Sequence, residues 1–321
     1  MARHEVPVMF DAGTASSMRS QTRIEVVVRW SASRAGDAKE RGIMTRLFTI
    51  LLAVFCLSSA HAGSHSAKWV AVDNGWIDKP NNDQVCNLAT AVTVANGLLT
   101  LTAQHQTVNC AGGVNYGPTI KHWTGGTIYT KSFNFLYGSI EARIKSAGYG
   151  VHSGLLWLMS SGCQSIMYQY SSWCNGTWPN PNNEIDVAEI KPGTSGNLTT
   201  VYQNLLGDNH HWHDGNGSTT DVSQNWHVYR LEWSPSSLVF KIDGVATTTF
   251  TTDIPYRPMF PIISTEFEDS SGGVPDPAAF PQTIQVDYVR VWDRSGKLIF
   301  SDDFDDPATV IKGSPLRGSA P

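Results

Sequence analysis

From Trp69 onward the chain runs in short apolar segments broken by Gly, Asn, Pro and Ser, and almost nowhere does an amphipathic helical period persist for ten residues. A chain patterned this way can bury one face of a sheet, but it has no stripe along which a helix could pack. The turn chemistry agrees. Val92–Ala95 and Leu98–Thr102 flank Asn96-Gly97, a pair suited to the two left-handed positions of a tight hairpin. Trp226–Trp233 and Leu238–Ile242 read as a second hairpin unit ending in the tight turn Asp243-Gly244. Thr127–Phe135, Ile140–Lys145 and Ile284–Trp292 continue the strand pattern. The implied fold is an all-β sandwich.

One strand stands apart. Asn183-Glu184-Ile185-Asp186-Val187-Ala188-Glu189-Ile190 packs three carboxylates into six residues. Strand side chains alternate faces, so Glu184 and Asp186 point one way and Ile185 the other. Strict alternation would put the third acid at 188, yet it arrives at Glu189. A β-bulge absorbing one extra residue in Val187-Ala188 would return all three acids to one face. Three like charges on one face repel, so a structural strand gains nothing from them. Splitting a glycosidic bond with retention needs two carboxyl groups about 5–5.5 Å apart, one as nucleophile and one as acid. Four regular strand steps span roughly 13 Å, so the two glutamates would have to lean together across a curved sheet. A carboxylate at Asp186 between them would favour the protonated form of its neighbour. The competing reading is an acidic, solvated edge strand or an acid-rich helix turn.

At 321 residues the chain has room for one large all-β domain or two small ones. Charged residues make up 16% and the net charge is −5, which argues against nucleic-acid or anionic-membrane partners. Met44-Thr45-Arg46, the apolar run Leu47–Leu57 and the small-residue site ending at Ala62 have the parts of a secretory signal. The run is short for a membrane span. The expected organisation is an upstream, non-native or disordered extension (1–43), a signal peptide (44–62), a sandwich domain (63–310) and a flexible tail (311–321). The product would be secreted or periplasmic, free of the membrane after signal removal, and a monomer. After Cys56 leaves with the signal, Cys86, Cys110, Cys163 and Cys174 remain, and an even count in an exported chain favours two disulfides. Proximity in sequence suggests 86–110 and 163–174, though three pairings exist. His210, His211 and His213 are adjacent or three apart in a Gly/Asn-rich segment, which suits a solvated or groove-lining loop better than a metal scaffold.

Glu184-Ile185-Asp186-Val187-Ala188-Glu189 resembles the E-[I/L]-D-x-x-E signature of glycoside hydrolase family 16. Other segments resemble the family's strands in order: Tyr137–Lys145 (YGSIEARIK), Leu156–Met159 (LWLM), Trp226–Trp233 (WHVYRLEW) and Val286–Trp292 (VDYVRVW). The resemblance covers roughly residues 69–293. It implies a jelly-roll, concanavalin A-like β-sandwich with a concave cleft for a polysaccharide. Glu184 is expected as nucleophile, Glu189 as acid and then base, and Asp186 as the group tuning the pair. The bulged motif resembles the laminarinase branch, so a retaining endo-β-1,3-glucanase is favoured. Agarase or galactan hydrolase, transglycosylase and non-catalytic carbohydrate-binding protein are the alternatives. The resemblance places Trp157 on the substrate face. Trp173 and Trp178, in the loop before the acids, are candidate sugar platforms. No histidine of the family's kind follows the acids, which leaves Tyr202 or Gln203 to face the substrate. No organic cofactor is needed. A structural calcium on the convex side is implied, with Asp287 among its ligands. Finally, Leu298–Asp305 resembles the family's opening strand, and the C-terminal segment is expected to supply it.

Overall fold

The computed structural model describes residues 66–75, 85–111, 118–146, 153–162, 183–192, 199–206, 212–218, 222, 225–265 and 276–313. All of them lie in the unit Ala60–Pro321. The proposed leader, the upstream extension, Cys163, Cys174, Trp173 and Trp178 lie outside the described residues.

Among the described residues the strands form two sheets, of nine and ten strands, and no α-helix forms. The first sheet runs, edge to edge, Trp212–His213, Thr199–Leu206, Glu184–Pro192, Ser153–Ser160, Met259–Ser264, Thr127–Thr130, Trp69–Ala71, Val310–Lys312, with Asn216–Ser218 also pairing with Thr199–Leu206. The acid-bearing strand is therefore interior to its sheet. The second sheet runs Val245–Phe250, Ser237–Ile242, Trp226–Ser234, Gly138–Lys145, Gln282–Trp292, Leu98–Cys110, Thr119–Gly125, Val85–Asn87. Neighbours within the sheets are antiparallel except Trp69–Ala71 with Val310–Lys312 and Val85–Asn87 with Thr119–Gly125. This is the all-β sandwich implied by the strand pattern, in the jelly-roll form implied by the resemblance.

The core lies between the sheets, where alternate residues meet. Ile140, Ala142 and Ile144 of one strand pack in one cluster with Ile185, Val187 and Ile190 of the other sheet. Both turn signals resolve as expected. Asn96 and Gly97 take left-handed φ values of 54° and 71°, and Asp243 and Gly244 take 49° and 80°. Two left-handed residues in succession make the turn whose twist matches the strands it joins. The strand starting at Thr127 ends at Thr130 rather than Phe135. Phe135 instead bridges alone to Met259.

A disulfide joins Cys86 and Cys110, with Cα atoms 5.7 Å apart. The segment Leu298–Asp302 is paired antiparallel with Val289–Trp292. Its last residue, Asp302, is buried and accepts the indole N–H of Trp69 at 2.9 Å. The C-terminal segment thus belongs to the sandwich and pins its first strand.

Candidate active site

The acid strand departs from alternation where the sequence does. Asp186 stands opposite Asn204 and Glu189 opposite Tyr202, so Val187 and Ala188 face the single residue Gln203. That is a bulge: two residues on one strand against one on its neighbour. The strand on the other side carries a matching irregularity. Glu189 stands opposite Gly154 and Asp186 opposite Trp157, with register shifts between them around Leu155 and Leu156. Val187, Ala188, Leu155 and Leu156 all turn into the core between the sheets. Two consecutive inward residues on each strand restore the outward phase together, and Asp186 and Glu189 emerge on the same face as Glu184.

That face is not a bare polar surface. Trp157 and Met159, opposite Asp186 and Glu184, belong to a separate apolar cluster with Val70, Val72, Tyr129, Phe260 and Ile262. Trp157 is only 5% exposed, and its indole N–H donates to Ser264 Oγ at 3.0 Å. Gly154 leaves the space that this arrangement needs. A Cβ there would lie 2.8 Å from Ser264 Oγ and 2.9 Å from Trp157 Nε1. Asp186, 7% exposed, is the most enclosed of the acids, and Glu184 and Glu189 are half-buried. The face thus carries its carboxylates beside an apolar, aromatic floor that is itself almost wholly covered.

Among the other expected site residues, Gln203 requires a correction. It is fully buried and faces the interior, donating from Nε2 to the Val187 carbonyl at 3.4 Å and accepting from Thr247 Oγ1 at 2.7 Å. The bulge is the reason: Gln203 sits opposite the inward pair Val187-Ala188, and it shares their direction. Tyr202 takes the register position opposite Glu189, and its side chain lies outside the described residues. Ser264, Gly154 and Thr247 carried no sequence signal as site residues; they emerge only from the packing.

Asp287 lies on the second sheet, at a register shift between Val286 and Tyr288. Its carboxylate accepts from Arg143 Nη1 at 2.7 Å. Among the described residues there is no group of three His, Cys, Asp or Glu side chains that could hold a metal ion. The Asp287 carboxylate is thus engaged by the Arg143 guanidinium. Other described charges are paired as well. Arg230 meets Glu141 at 3.2 Å and Lys241 meets Glu232 at 2.7 Å; the hydrogen bond from Lys241 holds the Glu232 carboxyl below the usual range despite partial burial. His213 pairs with Asp253 at 2.8 Å.

The family model for glycosyl hydrolases family 16 matches residues 81–290. The chain is 29% identical over 167 residues to a beta-glucanase of Acetivibrio thermocellus, covering 52% of this chain and 42% of that one. It is 28% identical over 122 residues to a beta-glucanase of Bacillus amyloliquefaciens, covering 38% and 44%. The match thus spans less than half the length of these relatives. Among solved structures it resembles LamAcat from Zobellia galactanivorans, with a TM-score of 0.56 at 22% identity, covering 70% of this chain and 91% of that one. A lichenase from a mouse hindgut metagenome superimposes with a TM-score of 0.53 at 20% identity, covering 71% and 94%. With its family model matched across the acid strand and most of both sheets, the chain belongs to glycosyl hydrolases family 16.

Proposed function

We propose that the protein is an exported endo-β-glucan hydrolase acting with retention, and that its substrate is a β-1,3-linked glucan. The observation that carries this reading is the matched pair of bulges, which returns Glu189 to the face of Glu184 and Asp186. A strand that only closed a sandwich would have no use for that device, because clustering like charges costs free energy. The relatives named beta-glucanase support the polymer class. The Cys86–Cys110 disulfide supports an oxidising compartment.

In the first step a Glu184 carboxylate oxygen attacks the anomeric carbon. The bond from that carbon to the leaving oxygen breaks with its electron pair going to the oxygen, and Glu189 delivers its proton there. In the second step Glu189 takes a proton from water, the water oxygen attacks the anomeric carbon, and Glu184 departs as a carboxylate. Both glutamates end as they began. Asp186, between them, disfavours a second negative charge by repulsion and so favours the protonated form of the acid. The apolar floor around Trp157 bounds the site on the side of the neighbouring strands.

Reducing-sugar release from laminarin, lichenan, curdlan and agarose tests the reading, with Glu184→Gln as control. Release from laminarin and curdlan that disappears in the variant is the expected result. Release from agarose alone would move the substrate to galactans. Binding without release would make the protein a carbohydrate-binding module, and undiminished release by Glu184→Gln would overturn the assignment of the nucleophile.

A further inference from the structure

We infer that Gln203, through Thr247, is a positioning residue for Glu189: an internal polar strut that fixes the bulge from inside the sandwich. The inference rests on the glycosidase reading of the acid strand for its catalytic consequence, and on the geometry alone for the strut. Gln203 stands at the one position of its strand that faces both Val187 and Ala188. A bulge leaves backbone polar groups out of the regular ladder, and here the Gln203 side-chain amide donates to the Val187 carbonyl at 3.4 Å. The other end of the amide accepts from Thr247 Oγ1 at 2.7 Å. Thr247 lies on the Val245–Phe250 strand of the opposite sheet, and its hydroxyl also lies 3.2 Å from the Phe240 carbonyl. The Gln203 backbone is held too, its N–H donating to the Gly215 carbonyl at 2.9 Å. A Cβ on Gly215 would lie 2.6 Å from the Gln203 carbonyl oxygen, so that contact depends on glycine.

A glutamine fully buried between two sheets is costly unless its groups are bonded. Here both ends are, one to the bulge and one to the far sheet. The strut thus couples the second sheet to the two residues that decide which way Glu189 points. Glu184 and Asp186 precede the bulge and keep their direction by ordinary alternation with Ile185. Loss of the strut should therefore displace Glu189 and spare Glu184. This makes the expected damage selective for the proton transfers of the acid and base.

The test uses Gln203→Met, which keeps length and removes both bonds, and Thr247→Val, which removes the far anchor; Thr247→Ser restores the hydroxyl. Two substrates are compared: laminarin, whose leaving sugar needs a proton, and a dinitrophenyl β-laminaribioside, whose leaving group does not. For both disrupting variants kcat/KM on laminarin is expected to fall about 10–100-fold, with kcat/KM on the dinitrophenyl substrate held within about twofold and Thr247→Ser close to wild type. Azide, which attacks without a general base, is expected to speed turnover of the dinitrophenyl substrate in these variants. Equal losses on both substrates would overturn the selective role. Hydrogen exchange at the Asp186–Ile190 amides needs no turnover and is expected to quicken in Gln203→Met. Unchanged exchange there would overturn the strut itself, even in a protein that cleaves no glucan. A wild type inactive on both substrates would overturn the hydrolase reading and the catalytic consequence together.

Discussion

Trp157 stands directly across the sheet from Asp186, with its indole N–H held by Ser264 Oγ at 3.0 Å. The ring is almost wholly covered, so its contribution is to shape the acid face. A buried N–H that loses its acceptor keeps the full cost of desolvation, about 1–3 kcal/mol. Ser264→Ala is therefore expected to destabilise the protein by about 1–2 kcal/mol, measured by urea unfolding. In a Trp157→Phe background the same change should cost much less, because the donor is gone. Equal costs in both backgrounds would show that the serine matters for some other contact.

Gly154 occupies the position across from Glu189, and any side chain there would drive into the Trp157–Ser264 pair. Gly154→Ala is expected to cost about 1–3 kcal/mol by overpacking. Because the clash sits on the acid face, the loss of glucan hydrolysis should exceed what partial unfolding explains. Activity measured well below the melting temperature, beside a thermal melt, separates the two. A lowered melting temperature with full activity in the folded fraction would make Gly154 a packing residue only.

The acid face was readable in advance because the bulge writes itself into the spacing of Glu184, Asp186 and Glu189. The hairpins were readable because Asn96-Gly97 and Asp243-Gly244 have few other uses. The partner bulge at Leu155-Leu156 was hidden. It falls in an unbroken apolar run, Leu155–Met159, where no alternation shows which residues face inward. The direction of Gln203 failed for a related reason: a bulge on one strand shifts the phase of what stands opposite it, and that register is not in the local sequence. Asp287 pairs with Arg143 on the neighbouring strand, a contact that the resemblance does not report. The tie between Trp69 and Asp302 joins residues 233 apart, a separation that no local pattern reports.

That tie carries its own prediction. Besides Trp69, the Asp302 carboxylate accepts from the Phe304 N–H at 3.0 Å and from the Thr309 hydroxyl, and Lys68 Nζ lies 3.6 Å away. Removing it leaves a buried indole N–H, a buried amide and a hydroxyl unpaired together. Asp302→Ala is expected to destabilise by about 3 kcal/mol or more, with Trp69 fluorescence shifting red as the C-terminal segment loosens from its ring. A loss below about 1 kcal/mol would mean that these donors find other partners.

Alkaline pH tests a different part of the fold. The Tyr288 hydroxyl donates to Glu141 Oε1 at 2.9 Å. Partial burial first, and then the Glu141 carboxylate, push its pKa up from 10.0 to about 12, although Arg290 opposes them. Burial raises Tyr229 further still, with the Asp243 charge adding to it. A raised pKa means that the folded protein keeps a proton that the unfolded chain has already lost. Stability from these phenols is thus complete below about pH 10 and drains away as pH climbs from there toward 12 and beyond. Urea unfolding at about pH 9 and about pH 11.5 is expected to show this fall in wild type and a shallower one in Tyr288→Phe, which has no proton to lose there. Below about pH 10 the two proteins should differ by a constant amount, the worth of the hydrogen bond to Glu141. Parallel slopes across the whole range, with tyrosinate absorbance rising near pH 10 in the folded protein, would show that the phenol titrates as it does in water.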